Sequence, residues 1–144
     1  MLNINKVIKV LIASDFLLQS GWGMIGPIFA IFLTNQIQGG SLRLVGFVAA
    51  AYWLTKSIIQ PFIAHQLDKN HGEKDDLAAL AIGVLLGGLV MFGYVFAREV
   101  WHVYLLQFLF GVADSILIPP FYSIFTRHID HGSEGFEWAL RSSI

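Results

Sequence analysis

Three ionisable side chains stand inside long apolar runs: Asp15, Lys56 and Asp114. A charge surrounded by hydrocarbon is costly unless it faces water, a polar cavity or a partner, so each is a candidate for binding or proton chemistry. Each also belongs to a polar row at helical spacing. Asp15 and Gln19 are four apart, with Gly23 and Gly26 continuing that face; Trp53, Lys56 and Gln60 share a second; Gln107, Gly111, Asp114 and Ser115 share a third. Three narrow polar stripes on otherwise apolar cylinders would wall a buried aqueous cavity. Lys56 and Asp114, opposite in sign and similar in depth, are open to two readings. One is a structural ion pair in which each neutralises the other; the other is a substrate or proton site involving Asp114. Asp15 lies roughly 9 Å from the centre of its run, where it either lines the cavity or is hydrated at the span's end. His65 and His102 fall near run ends and read as interfacial, and Tyr94, Trp101 and Tyr104 lie where aromatic belts are expected.

The elements that must position these side chains are four apolar segments, 10–33, 44–67, 77–97 and 101–125. Each is long enough, at about 1.5 Å per residue, to cover the ~30 Å hydrocarbon core of a bilayer. Only helices satisfy their own backbone in lipid, apart from closed barrels, so the spacing predicts an all-α membrane protein with four transmembrane helices. Composition agrees. Of the 144 residues, 56% are hydrophobic and 13% charged, about half the charge of an ordinary soluble domain; mean hydropathy is +0.65. Residues 1–130 form the expected bundle. Residues 131–144 are a polar cytoplasmic segment in which Phe136 to Leu140 could begin an interfacial or fifth helix, or a linker. The first run follows Lys6 and Lys9, but it is too long for a signal peptide and has no small-x-small cleavage site, so it reads as a retained span.

Orientation follows from the basic residues. Lys6, Lys9, Lys69, Lys74, Arg127 and Arg141 fall on one side, Arg43 and Arg98 on the other. The positive-inside rule then puts both ends of the chain in the cytoplasm, an N-in/C-in topology. Gly83 and Gly87 form a small-xxx-small pair suited to close helix packing. Gly21, Gly23, Gly26 and Pro27 are expected to loosen the first span, and Pro119-Pro120 to interrupt the fourth. A net charge of −1 leaves no basic patch for nucleic acid. Cysteine is absent, and there is neither H-E-x-x-H spacing nor a glycine-rich phosphate loop. No enzyme activity, metal site or cofactor is therefore expected.

Between the second and third spans lies a tight charged loop, 67–76, containing Asp68-Lys69, Gly72 and Lys74. With four spans and this loop in place, the chain resembles the N-terminal part of a major facilitator superfamily transporter, about four of its usual twelve helices. That family's signature runs Gly-x-x-x-Asp-Arg/Lys-x-Gly-Arg/Lys-Arg/Lys. Here Ala64 stands at the first glycine, Asp68 and Lys69 match, and His71 looks like a one-residue insertion. Gly72 takes the second glycine, Glu73 stands where a base is usual, and Lys74 restores the last one. Gly26-Pro27 resembles the glycine–proline of the family's first helix. Gln107, Gly111 and Pro119 resemble its fourth, with Gln107 in place of an arginine often associated with proton coupling.

The resemblance implies secondary active transport of a small solute, in the efflux direction for example, by alternating access in the cell membrane (plasma or inner). Its cavity residues here would be Asp15, Gln19, Lys56, Gln107 and Asp114. Asp68, Lys69, Gly72, Lys74 and Asp130 would form a cytoplasmic gate, with a Lys74–Asp130 contact. The partners implied are the solute, the lipid bilayer and the C-terminal helices of the same transporter, of which this chain is expected to be a fragment. Two alternatives stand beside it: a complete four-helix homodimeric small multidrug transporter built around Asp15, and a non-transporting membrane scaffold whose polar stripes glue helices together.

Overall fold

The computed structural model describes residues 4–70 and 72–143; His71, the inserted residue of the charged loop, lies outside them. Five helices follow one another: α1 (Lys6–Asn35), α2 (Leu42–Asn70), α3 (Glu73–Tyr94), α4 (Val100–His128) and α5 (Glu134–Ser142), with no strand among the described residues. The first four are long and apolar enough to cross a membrane.

Their starts are set by local chemistry. The Asn5 side chain accepts the Val7 N–H at 3.0 Å, and the Ser41 hydroxyl accepts the Leu44 N–H at 3.2 Å. Each occupies a donor that the first helical turn would otherwise leave unpaired. Glu73, Asp75 and Asp76 fill the first turn of α3, where carboxylates meet the positive end of the helix dipole. Glu99 and His102 close a reciprocal cap on α4.

Two sequence expectations change. The charged loop is nearly absent, since α2 runs through Asp68 and Lys69 to Asn70 and α3 begins at Glu73. Charged residues past a span's apolar limit do not end a helix. Lys69 in a last turn and acids in a first turn both suit the dipole, so the helices project beyond the apolar layer. Pro119-Pro120 likewise does not interrupt α4, which continues to His128. The two prolines lack N–H groups, so the Ser115 and Ile116 carbonyls lose their usual helical donors. Both prolines are buried, and the helix continues through the gap.

Helix α4 is the axis of the bundle, packed along its length against α2 and α3, which scarcely touch each other. Close approach on the α3 side occurs at Gly83, where a Cβ would lie 2.8 Å from the Leu117 backbone nitrogen. The small-residue pair predicted there is therefore a packing device. Helix α1 is different. Only Ile8 and Leu33, near its two ends, are buried, and Gly21, Gly23 and Gly26 have no non-local atom within 4 Å of where a Cβ would stand.

Apolar cores form at each end. One gathers Leu33, Ile37, Leu44, Val48, Val90, Tyr94 and Val103. There Gly39, at φ +80°, turns the chain between α1 and α2, and the Gln38 N–H donates to the Arg98 carbonyl at 2.8 Å. The other gathers Ile8, Phe121 and Phe125, with Trp138 of α5 packed on them. The start of α1, the α2–α3 junction, the end of α4 and α5 thus share one end of the bundle.

Candidate functional site

The contact between α2 and α4 is made by backbone. At Gly111 a Cβ would fall 2.9 Å from the Thr55 Cβ and 3.1 Å from the Tyr52 carbonyl oxygen. The hydroxyls at this crossing turn back onto their own helices, Thr55 donating to Ala51 at 2.8 Å and Ser115 to Gly111 at 2.7 Å. That leaves carbon surfaces to meet across the gap and brings the next turn of each helix within side-chain reach.

What meets there is a charged triad. Lys56 Nζ and Tyr52 Oη each donate to Asp114 Oδ2 at 2.6 Å, and Nζ lies 3.4 Å from Tyr52 Oη. Lys56 is the central residue of Leu42–Asn70, and Asp114 is the central residue of Val100–His128. Both Cα atoms are therefore about 21 Å along the axis from either helix end, too deep for a lysine to reach water by bending its stem. The ammonium also sits 5.3 Å from the Trp53 ring centroid and 5.7 Å from that of Tyr52, close enough for cation–π attraction. Phe110 stacks on Tyr52 at 5.3 Å, and Trp22 of α1 meets Phe110 at 4.6 Å. Beside Lys56 an open groove of about 270 Å³ runs along α2, lined by Trp53, Ser57, Gln60, Pro61 and Ala64.

The other cavity candidates do not join this group. Asp15 Oδ2 lies 3.0 Å from Arg141 Nε of α5, both side chains being largely buried. That guanidinium is also stacked 5.2 Å over Phe121 and 5.0 Å over Tyr122. Gln19 is exposed and Gln107 half-buried. Gln107 lies by the Tyr94 hydroxyl, which is buried and lacks a hydrogen-bond partner. Lys56 and Asp114 converge because both lie at mid-helix beside a glycine contact; Asp15 sits on the one of the four membrane-length helices that packs least.

The expected gate contact between Lys74 and Asp130 is not formed. Asp130 instead accepts the Asn5 N–H at 2.9 Å, and the α2–α3 junction is tied to α4 by an ion pair between buried Asp76 and Arg127. Glu73 stands 3.4 Å from His128 in support. Lys74 and Asp76 are two residues apart, about 200° around a helix, so only one can face α4. The buried one is the acid. Asp68, Lys69 and Lys74 are exposed and form no ion pair among the described residues. Gly72 caps α3 in extended geometry, its carbonyl accepting the Asp75 and Asp76 N–H groups at 3.1 Å.

Sequence reasoning missed Tyr52, Arg127 and Arg141. Tyr52 had a signal, standing one turn before Lys56 on the same face. The two arginines had none, since each meets an acid from a distant helix.

A sequence model of the Major Facilitator Superfamily matches residues 11–144, from the second turn of α1 through α5. No curated protein and no solved structure matches the chain. Four membrane-length helices, a polar cluster at the middle of two of them and a match over almost the whole sequence agree: the chain belongs to the Major Facilitator Superfamily, multi-pass membrane proteins that transport small solutes.

Proposed function

We propose that this protein carries out secondary active transport of a small solute by alternating access, with the Tyr52–Lys56–Asp114 triad in the wall of the solute path. The single observation that carries this reading is an ion pair at the mid-depth of two spans. Charge is expensive there, and hydrophobic residues of similar volume would pack as well or better. The triad offers an ammonium to an anionic group, a carboxylate to a cationic one, and a hydroxyl to either. A solute that competes for one partner changes the contact between α2 and α4, giving the differential binding that a conformational change requires.

The end bearing Asn5, the α2–α3 junction and α5 is the cytoplasmic one in this proposal, because six of the eight basic residues outside mid-span lie there. Its exposed Asp68, Lys69 and Lys74 are free to pair with further helices of a larger transporter, forming the gate that breaks and re-forms as the path opens. The wide apolar faces of α1, including Leu17, Met24 and Ile28, suit burial against such helices. The homodimeric alternative built on Asp15 is weakened by the pairing of that acid with Arg141.

The test is flux in proteoliposomes containing the full-length protein, with radiolabelled amino acids, sugars, organic anions and organic cations offered under imposed proton or sodium gradients. At least one class should accumulate above empty-liposome background and lose that accumulation in Asp114→Asn. Background flux for every class under both gradients favours the scaffold reading instead.

A further inference from the structure

The two charges of the triad differ in what they face. The groove along α2, about 270 Å³, is lined by Trp53, Lys56, Ser57, Gln60, Pro61 and Ala64. These positions recur at helical spacing and so form one face over about 16 Å of helix. Lys56 is the charged residue of that lining, and Asp114, on α4, is not part of it. Side-chain hydrogen bonds along this stretch of α2 involve Tyr52, Thr55 and Lys56 among the described residues. The Trp53 indole N–H, the Ser57 hydroxyl and the Gln60 amide are therefore free to donate, at a depth where unpaired polar groups are costly. The Lys56 ammonium carries three protons. One is given to Asp114 at 2.6 Å and one is directed at Tyr52 Oη, 3.4 Å away, which leaves a third. Asp114 Oδ2, by contrast, already accepts two bonds of 2.6 Å. A cation in the groove meets the ammonium before it meets that carboxylate; an anion meets donors alone.

We propose that this groove is the solute subsite and that it selects a small organic anion with a flat apolar body, of the aromatic carboxylate kind. The proposal rests on the transport reading for what the site is for, and on the groove alone for what it binds. The ligand carboxylate takes the free proton of Lys56, with the Ser57 hydroxyl and the Gln60 amide as further donors on the same face. Its ring lies against Trp53, which is exposed. That indole stands 5.3 Å from the ammonium, so charge and stacking surface are held side by side. Pro61 and Ala64 extend the apolar floor. The volume falls just below the range of about 300–1,000 Å³ that suits drug-sized ligands, which sets a small solute. Asp114 is not left bare when the ammonium turns to the ligand, because the Tyr52 hydroxyl still donates to it.

Charge is the variable that discriminates. Benzoate, benzamide and benzamidine share one shape and are anionic, neutral and cationic at neutral pH. A hydrogen bond to a charged group is worth about tenfold or more in affinity. Benzamide forgoes that bond, and benzamidine adds repulsion from the ammonium.

The full-length protein in lipid nanodiscs is titrated with radiolabelled benzoate at neutral pH, empty nanodiscs are subtracted, and unlabelled benzamide and benzamidine compete. Benzoate should bind saturably, with each competitor at least about tenfold weaker. Absence of benzoate binding, or a competitor that matches it, overturns the proposal. This wild-type comparison stands whether or not a variant folds. Lys56→Gln with Asp114→Asn removes both charges and strands neither. It should weaken benzoate at least about tenfold and abolish its advantage over benzamide; an advantage that persists overturns the assignment to Lys56. Trp53→Leu, at an exposed position, should weaken benzoate about threefold or more while leaving competition by acetate unchanged. Unaltered benzoate affinity there overturns the stacking of a flat body. Flux in proteoliposomes separates the two readings. Benzoate binding with no flux of any solute supports the anion site and faults transport. Flux of an amine or a sugar with no benzoate binding supports transport and overturns the anion site.

Discussion

Replacing Asp114 with asparagine removes the only carboxylate in contact with Lys56 among the described residues and leaves an ammonium at the middle of α2. Two short bonds end on that carboxylate, one from Lys56 and one from Tyr52. Side-chain exposure of 16% for Lys56 and 13% for Asp114 means that little solvent is at hand to replace it. Removing one partner of a buried ion pair costs about 3–5 kcal/mol. An unpaired lysine at mid-span costs roughly 2.5–3.5 kcal/mol on an insertion scale. Both figures describe the same stranded charge and are not summed, so Asp114→Asn should destabilise the bundle by about 3–5 kcal/mol. Lys56→Met should cost a similar amount. Lys56→Met with Asp114→Leu should recover most of it, costing less than either single variant and far less than their sum. Equilibrium unfolding in mixed detergent micelles measures all four proteins. Single-variant costs below about 1 kcal/mol that simply add would refute the assigned pairing. If the double variant recovers stability but not flux, the triad belongs to the solute path; if it recovers both, the ion pair is structural.

Tyr52→Phe removes one donor to an ionised acceptor and should cost about 1.5–3 kcal/mol in the same unfolding measurement. Gly83→Ala should lower thermal stability by about 1–3 kcal/mol, because its Cβ would collide with the Leu117 backbone. Gly21→Ala, with open space around it, should be neutral or stabilising by up to about 1 kcal/mol. Single cysteines at Lys69 and Arg98 should react oppositely with a membrane-impermeant maleimide on intact cells. Arg98→Cys labels from outside and Lys69→Cys only after permeabilisation; the reverse pattern refutes the N-in topology.

The sequence by itself determined the number of spans, their helical nature and the three charges placed within them. These are local properties. Hydrocarbon accepts only a self-satisfied backbone, and a run of apolar residues announces itself without reference to any neighbour. It also marked Gly83, through its spacing from Gly87, as a position of close approach, whereas Gly111 stood out only as a member of a polar row. Which partners those charges meet was decided by the tertiary structure. Asp15, Lys56 and Asp114 looked alike as acids or bases in apolar runs, yet a backbone contact at Gly111 joins two of them with Tyr52, while α5 brings Arg141 to the third. The same holds at the bundle end. Lys74 and Asp76 are near neighbours in sequence, but helix rotation turns one outward and buries the other against Arg127. Pairing depends on rotation about each helix axis and on the depth at which two helices cross. Both are set by side-chain packing across residues far apart in the chain, so spacing within one helix identifies a polar face but not the face opposite it.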